Sequence, residues 1–221
     1  MSHMSDEKLT EIKMRGDDSI AQLLSLADWR QKMASLYQRI IQCDDLAAIW
    51  PDYVATRQEL YRTHPQSPMV GGDKEPQFFP YNQAMALSAK LLPLRKPISW
   101  QADGGKDGLI DFTSIAQTDG LSDVLGQELT LYQFNHYGGG LFLPFGDRTN
   151  GTSSYGGGRY LIDNVKSAYL GMTSQQHIRL DFNFAYFPSC AHNHDYLCPL
   201  SPSQNKLAIA IEAGERWPDE G

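Results

Sequence analysis

The chain has 221 residues, of which 41% are hydrophobic and 11% aromatic, and its formal net charge is -7. That length and apolar content support a packed core and exclude a disordered or fibrous chain. The acidic balance and the lack of a basic stripe argue against nucleic acid as a partner, and no run of spanning length or cationic leader points to a membrane, so a soluble cytoplasmic protein is expected.

Residues 1–16 read as a disordered N-terminal stretch that opens on a tag-like MSHM, residues 17–64 as a helical segment, and residues 65–221 as a β-rich part packed with the helices into one structural unit. Ile20, Leu23, Leu24, Leu26, Trp29, Met33, Leu36, Tyr37, Ile40 and Ile41 recur at intervals of three and four, the period of an amphipathic helix. Asp28 is suited to capping a fresh start within it. A second helix is expected with Pro51 in its first turn and Val54, Leu60 and Tyr61 on its apolar face, stopped by His64-Pro65. The following THPQSPMVGGDKEPQFFP, Thr63 to Pro80, holds four prolines and a Gly-Gly pair. It reads as a loop of the kind that lies across a pocket.

Beyond Tyr81 short strands are expected at Ala84–Pro93, Gly108–Gln117, Leu129–His136, Gly140–Phe145, Arg159–Asp163, Ile178–Tyr186 and Leu207–Glu212, separated by glycine-rich turns. The fold class is therefore α+β, with N-terminal helices on a predominantly antiparallel, barrel-like sheet. Alternation at Ile178, Leu180, Phe182 and Phe184 leaves Arg179, Asp181 and Asn183 on an opposite, polar face.

The densest polar segment is FGDRTNGTSSYGGGRYL, Phe145 to Leu161. Three glycines followed by an arginine offer closely spaced N–H groups and a bidentate cation, which suits a carboxylate or phosphate. On this reading Arg159 holds the charge, and Gly156, Gly157, Gly158, Tyr155, Asn183 and Tyr186 shape the site. The competing reading is a tight glycine turn with Arg159 paired to Asp147 or Asp181. Asp147, Asp181 and His64 are the candidate acid–base groups if the fold gathers them.

Cys190, His192, His194 and Cys198 form a C-x-H-x-H-x3-C string. Zinc ligands come as close pairs from two places, and no second pair accompanies this one, so a metal is the weaker reading. A Cys190–Cys198 disulfide is feasible in length but disfavoured in a reducing compartment. A packed turn stiffened by Pro188 and Pro199 is preferred. No cofactor is called for.

The pieces DWRQKMASLYQRI, RQELYRTHPQSP, LFLPFGDRTNGTSSYGGGRYL and DFNFAYFPSCAHNHDYLCPLSPSQNKLAIAIEAGE resemble a family of prokaryotic proteins catalogued as a domain of unknown function. The resemblance is strongest from Leu141 to Glu215 and extends back to Trp29. It emphasises the positions held by Asp147, Thr149, Gly151, Tyr155, Gly156, Gly158, Arg159 and Tyr160. It also marks Asp181, Asn183, Tyr186, Pro188, Cys190, Cys198, Pro199, Asn205, Gly214 and Glu215. His192 and His194 depart from it, which weakens a four-ligand metal site further. The resemblance implies no reaction.

The favoured function is binding of a small anionic molecule on the polar strand-and-turn surface. One alternative is a hydrolase-like enzyme using the same pocket, and another is a structural or interaction module without a ligand. Free sheet edges would permit a homodimer, and closure would remove them.

Overall fold

The computed structural model describes residues 20–69, 75–104 and 108–218, so the expected N-terminal stretch 1–16 lies outside the described residues. The helical period resolves into α1, Ile20–Ile41, which buries Met33, Leu36, Tyr37 and Ile40. Contrary to expectation it is continuous through Asp28, whose carboxylate stays at the helix surface and is bonded to Lys32 and His64 instead of capping a second start. Helix α2, Leu46–Thr63, begins where the Asp45 carboxylate accepts the N–H groups of Ala47 and Ala48 at 3.0 and 3.2 Å. Pro51 therefore lies inside the helix, beyond the first turn where it was expected. The helix stops at His64, because Pro65 disfavours another helical residue before it.

Among the described residues nine strands follow these helices: β1 Gln77–Phe78, β2 Ala86–Pro93, β3 Ser99–Asp103, β4 Leu109–Asp119, β5 Thr130–Phe134, β6 Leu141–Phe145, β7 Arg159–Asp163, β8 Ile178–Asp181 and β9 Glu215–Arg216. β1 and β9 form a small separate ladder. The main sheet runs β7-β6-β5-β4-β2-β8, with β3 also paired to β4, and every pairing of named strands is antiparallel. Its two ends nearly meet. Tyr160 of β7 and Tyr186, beyond β8, exchange backbone hydrogen bonds at 2.9 and 3.1 Å, which curls the sheet into a nearly closed barrel.

Both faces of the central strands are buried, so their alternation sorts side chains into two cores. Leu131, Leu143, Phe145, Leu161 and Leu180 pack on one side. Tyr132, Phe134, Phe142 and Tyr160 pack on the other, against Leu36, Ile40, Tyr53 and Leu60 of the two helices.

Four expected strand features change, each for a local reason. Ala84 and Met85 belong to a 3-10 turn, Gln83–Met85, started by the Asn82 side chain. β3 was not foreseen; it pairs only with β4 and has no strong apolar run. The ladder of β8 ends at Asp181, whose carboxylate accepts the Asn183 N–H at 2.9 Å and folds Phe182–Phe184 into a 3-10 turn. The stretch Leu207–Glu212 forms no ladder, because the polar groups of Ile211 serve Asp147 and Arg159 instead.

Candidate functional site

Asp147, Arg159, Asp181, Asn183 and Tyr186 fall into buried clusters around the barrel wall. At the first, the Asp147 carboxylate accepts the N–H and hydroxyl of Thr149 at 2.8 and 2.6 Å and the N–H of Ile211 at 3.1 Å. Arg159 donates to Asp147 at 2.9 Å, to the Ile211 carbonyl at 2.7 Å, to that of Glu215 at 3.2 Å, and also to that of Ala213. Both side chains are wholly buried. Burial lowers the Arg159 pKa and the Asp147 charge opposes it, and an arginine stays protonated through such a shift. Arg159 was expected to face a ligand. Its guanidinium is turned inward, where the carbonyls of the 211–215 strip find their donor.

Of the glycines before it, Gly158 is required by the turn itself. Gly158 has φ +94°, and a Cβ there would lie 2.5 Å from the Phe145 carbonyl oxygen. Its N–H donates to the Tyr155 carbonyl at 3.0 Å, so it closes a turn and is not offered to an anion. Tyr155 points elsewhere, with its hydroxyl 3.5 Å from the Cys190 sulfur.

The second cluster joins Asp181 and Asn183, which were expected on a polar strand face and are both fully buried. Asn183 donates to Asp181 at 2.7 Å and to the Asn82 carbonyl at 2.9 Å, and accepts the Asn82 N–H at 2.8 Å. Tyr81 donates to the other Asp181 oxygen at 3.0 Å. Burial raises the Asp181 pKa against these donors. This cluster ties the start of β2 to the end of β8.

The third cluster centres on Arg57 and Glu215. Arg57 of α2 donates through Nε to Glu215 of β9 at 2.9 Å, and to the Tyr61 hydroxyl at 3.1 Å. Its guanidinium carbon lies 4.8 Å from the ring centres of Tyr61 and Tyr186. The second Glu215 oxygen accepts the Phe187 N–H at 2.6 Å. Tyr186, expected at a ligand, donates its hydroxyl to buried Asp163 at 2.9 Å. Arg57 had a signal in the sequence: it sits on the buried stripe of Tyr53, Leu60 and Tyr61, where a cation needs a partner.

His64 lies away from the acidic candidates. It ends α2, bonds to Asp28 at 2.9 Å through Nε2, and packs against Trp29. Asp147, Asp181 and His64 thus share no hydrogen-bond partner, and the expected acid–base constellation is not assembled.

A cleft of about 560 Å³ opens beside the third cluster, lined by Met69, Gln77, Phe187, His192, Arg216 and Trp217 among others. Met69 and Gln77 come from the proline-rich loop, from either side of the undescribed residues 70–74. The Phe187 and Trp217 rings lie 4.6 Å apart, and the His192 ring stands 5.8 and 6.1 Å from them. His192 Nε2 is buried without a hydrogen-bond partner among the described residues. Burial pushes the His192 pKa down, so the imidazole is neutral near pH 7. Trp217 lies in an RWP tail with no periodicity, and no sequence signal marked it.

The C-x-H-x-H-x3-C string divides. Cys190 and Cys198 meet, His192 joins the aromatic wall, and His194 is exposed. All three cysteines are free thiols, and among the described residues no three potential ligands gather as a metal would require. No helix among the described residues is long and apolar enough to cross a membrane.

The chain is 27% identical to an uncharacterized protein of Haloarcula marismortui whose solution NMR structure superposes with a TM-score of 0.57, covering 80% of this chain and 97% of that one. No curated protein matches the chain. The family model described as protein of unknown function (DUF1684) matches residues 74–216, from the end of the proline-rich loop through β9, and the chain therefore belongs to the DUF1684 family.

Proposed function

We propose that the protein binds a small planar molecule in the cleft between the 187–192 segment and β9. The observation that carries this reading is the aromatic wall of Phe187, His192 and Trp217 around about 560 Å³, a volume ordinary for a small-molecule site. His192 Nε2, buried and unpartnered among the described residues, adds a polar group that a ligand can satisfy after a modest ring rotation. Glu75 and Arg216 stand in the same lining, so shape and ring stacking select the ligand more than charge does.

The test is a fluorescence titration with 1-anilinonaphthalene-8-sulfonate and with its neutral analogue N-phenyl-1-naphthylamine. Saturable one-site binding of both is expected, with Trp217→Ala weakening both by about tenfold while the far-UV spectrum is retained. A preference for the sulfonate by tenfold or more would restore the anionic ligand expected from the sequence. Binding that ignores Trp217→Ala would sink the cleft reading.

A second reading, a structural or interaction module without a ligand, is favoured by one observation. The polar groups of Asp147, Asp181 and Asn183 and the two terminal nitrogens of Arg159 make internal bonds. On that reading neither probe binds at the cleft, and Trp217→Ala changes stability alone.

A further inference from the structure

We propose that Cys190 and Cys198 form a peroxide-oxidised dithiol, in which Cys190 is attacked first and Cys198 closes a reversible disulfide. The proposal stands on the geometry of the 188–199 segment and is independent of the cleft. The Cys190 N–H donates to the Cys198 sulfur at 3.4 Å, so the two cysteines are packed side by side. A disulfide would join residues that are already neighbours, with side-chain rotation bringing the sulfurs into bonding range.

Both ends of the segment are pinned. The Ala191 and His192 N–H groups donate to Pro188 and Ser189 at 2.9 and 3.0 Å, which holds Cys190 in its 3-10 turn. The Tyr160 hydroxyl donates to the Pro199 carbonyl at 2.6 Å, which holds the residue after Cys198. The exposed residues His194 to Leu197 between them form the loop that the disulfide would close.

The surroundings distinguish the two sulfurs. The Tyr155 hydroxyl lies 3.5 Å from Cys190, and the Lys166 ammonium is held 2.8 Å from the hydroxyl of neighbouring Ser189. The neighbouring Cys198 thiol is the chief reason the Cys190 pKa falls to about 6, with Tyr155 and Lys166 adding to it against burial. Cys190 in turn, with burial, pushes Cys198 up, so Cys198 keeps its proton at neutral pH. Cys190 is only 9% exposed, which admits a small oxidant more readily than a bulky disulfide.

The chemistry balances with hydrogen peroxide as the oxidant. The Cys190 thiolate attacks one peroxide oxygen, an S–O bond forms, the O–O bond breaks, and the departing hydroxide takes a proton to become water. The Cys198 sulfur then attacks the Cys190 sulfenic acid. The S–S bond forms, the S–O bond breaks, and the second hydroxide leaves as water with the Cys198 thiol proton. Two thiols lose two electrons, and one peroxide becomes two waters. A small thiol reverses the step by exchange.

The experiment treats the reduced full-length protein with hydrogen peroxide, blocks remaining thiols, and maps the peptides by mass spectrometry. The expected result is loss of two hydrogens, with Cys190 linked to Cys198 and Cys43 still free, reversed by dithiothreitol. In Cys198→Ala, Cys190 should stop at the sulfenic acid, which dimedone traps. In Cys190→Ala, oxidation of Cys198 should slow by at least about tenfold. Tyr155→Phe should slow the first step while leaving the product unchanged. If Cys190 is oxidised no faster than Cys43, or no Cys190–Cys198 link forms in the wild-type protein, the proposal fails. That comparison uses the unsubstituted chain and does not depend on any variant folding.

Discussion

Arg57 of α2 and Glu215 of β9 stand 158 positions apart and meet as a fully buried ion pair, with Arg57 Nε 2.9 Å from Glu215 Oε1. Burial works against the Arg57 charge, and Glu215 together with Tyr53, Tyr61 and Tyr37 outweighs it, so its pKa is raised well above the ordinary value. The pair joins the helical layer to the strand that bounds the cleft, because Glu215 also holds the Phe187 N–H. Removing one partner strands the other. Arg57→Met is expected to cost about 3–5 kcal/mol in urea unfolding. The double variant Arg57→Met/Glu215→Gln should cost less than the sum of the two singles, and strict additivity would show that the contact carries no coupling.

Glycine 158 is held at φ +94° against the Phe145 carbonyl, whereas Gly156 has only ordinary contacts at 3.9 Å. Gly158→Ala should therefore destabilise by about 2–3 kcal/mol, through strain and the displaced carbonyl. Gly156→Ala should stay within about 0.5 kcal/mol of the wild type. Equal effects at the two positions would contradict a tight turn at Gly158.

Asp163 is buried, and desolvation raises its pKa despite the Tyr186 hydroxyl and nearby Lys166. A raised native pKa means that the folded state binds the proton more tightly than the unfolded chain does. Over the window from the ordinary carboxylate value of 3.8 up to the raised native value, this group's contribution to stability falls as pH rises. Asp163→Asn cannot titrate and still accepts the Tyr186 hydrogen bond. The stability of the wild type relative to Asp163→Asn should thus decline with rising pH across that window and level off above it. A difference that is flat or rises with pH would contradict the assignment.

Asp45 caps α2 through two backbone N–H groups. Asp45→Ala should cost about 1 kcal/mol, which for a chain of this size lowers the unfolding temperature by about 2–4 °C. Asp45→Asn should recover most of that loss, since its amide oxygen accepts the same bonds. Calorimetry on the three proteins checks both statements.

The sequence by itself determined the local order of the chain. The spacing of Met33, Leu36, Tyr37 and Ile40 dictates a helix, and β5, β6 and β7 are legible because apolar residues bounded by glycine turns have few other places to go. It also offered Asp147 as one of two partners for Arg159, since both flank the same glycine turn. What the tertiary structure decided was which polar groups are spent inside the fold and which are left for other work. Arg159 reads as a surface clamp from GGGR alone, yet it turns inward, because the carbonyls of Ile211, Ala213 and Glu215 arrive from more than 50 residues away and need donors. Phe187, His192 and Trp217 share no motif and no period, so their meeting around one cleft is invisible until the barrel nearly closes and brings β9 against the segment after β8. Local periodicity follows from the chain's own geometry, but a site assembled across the fold depends on long-range contacts that no short stretch encodes.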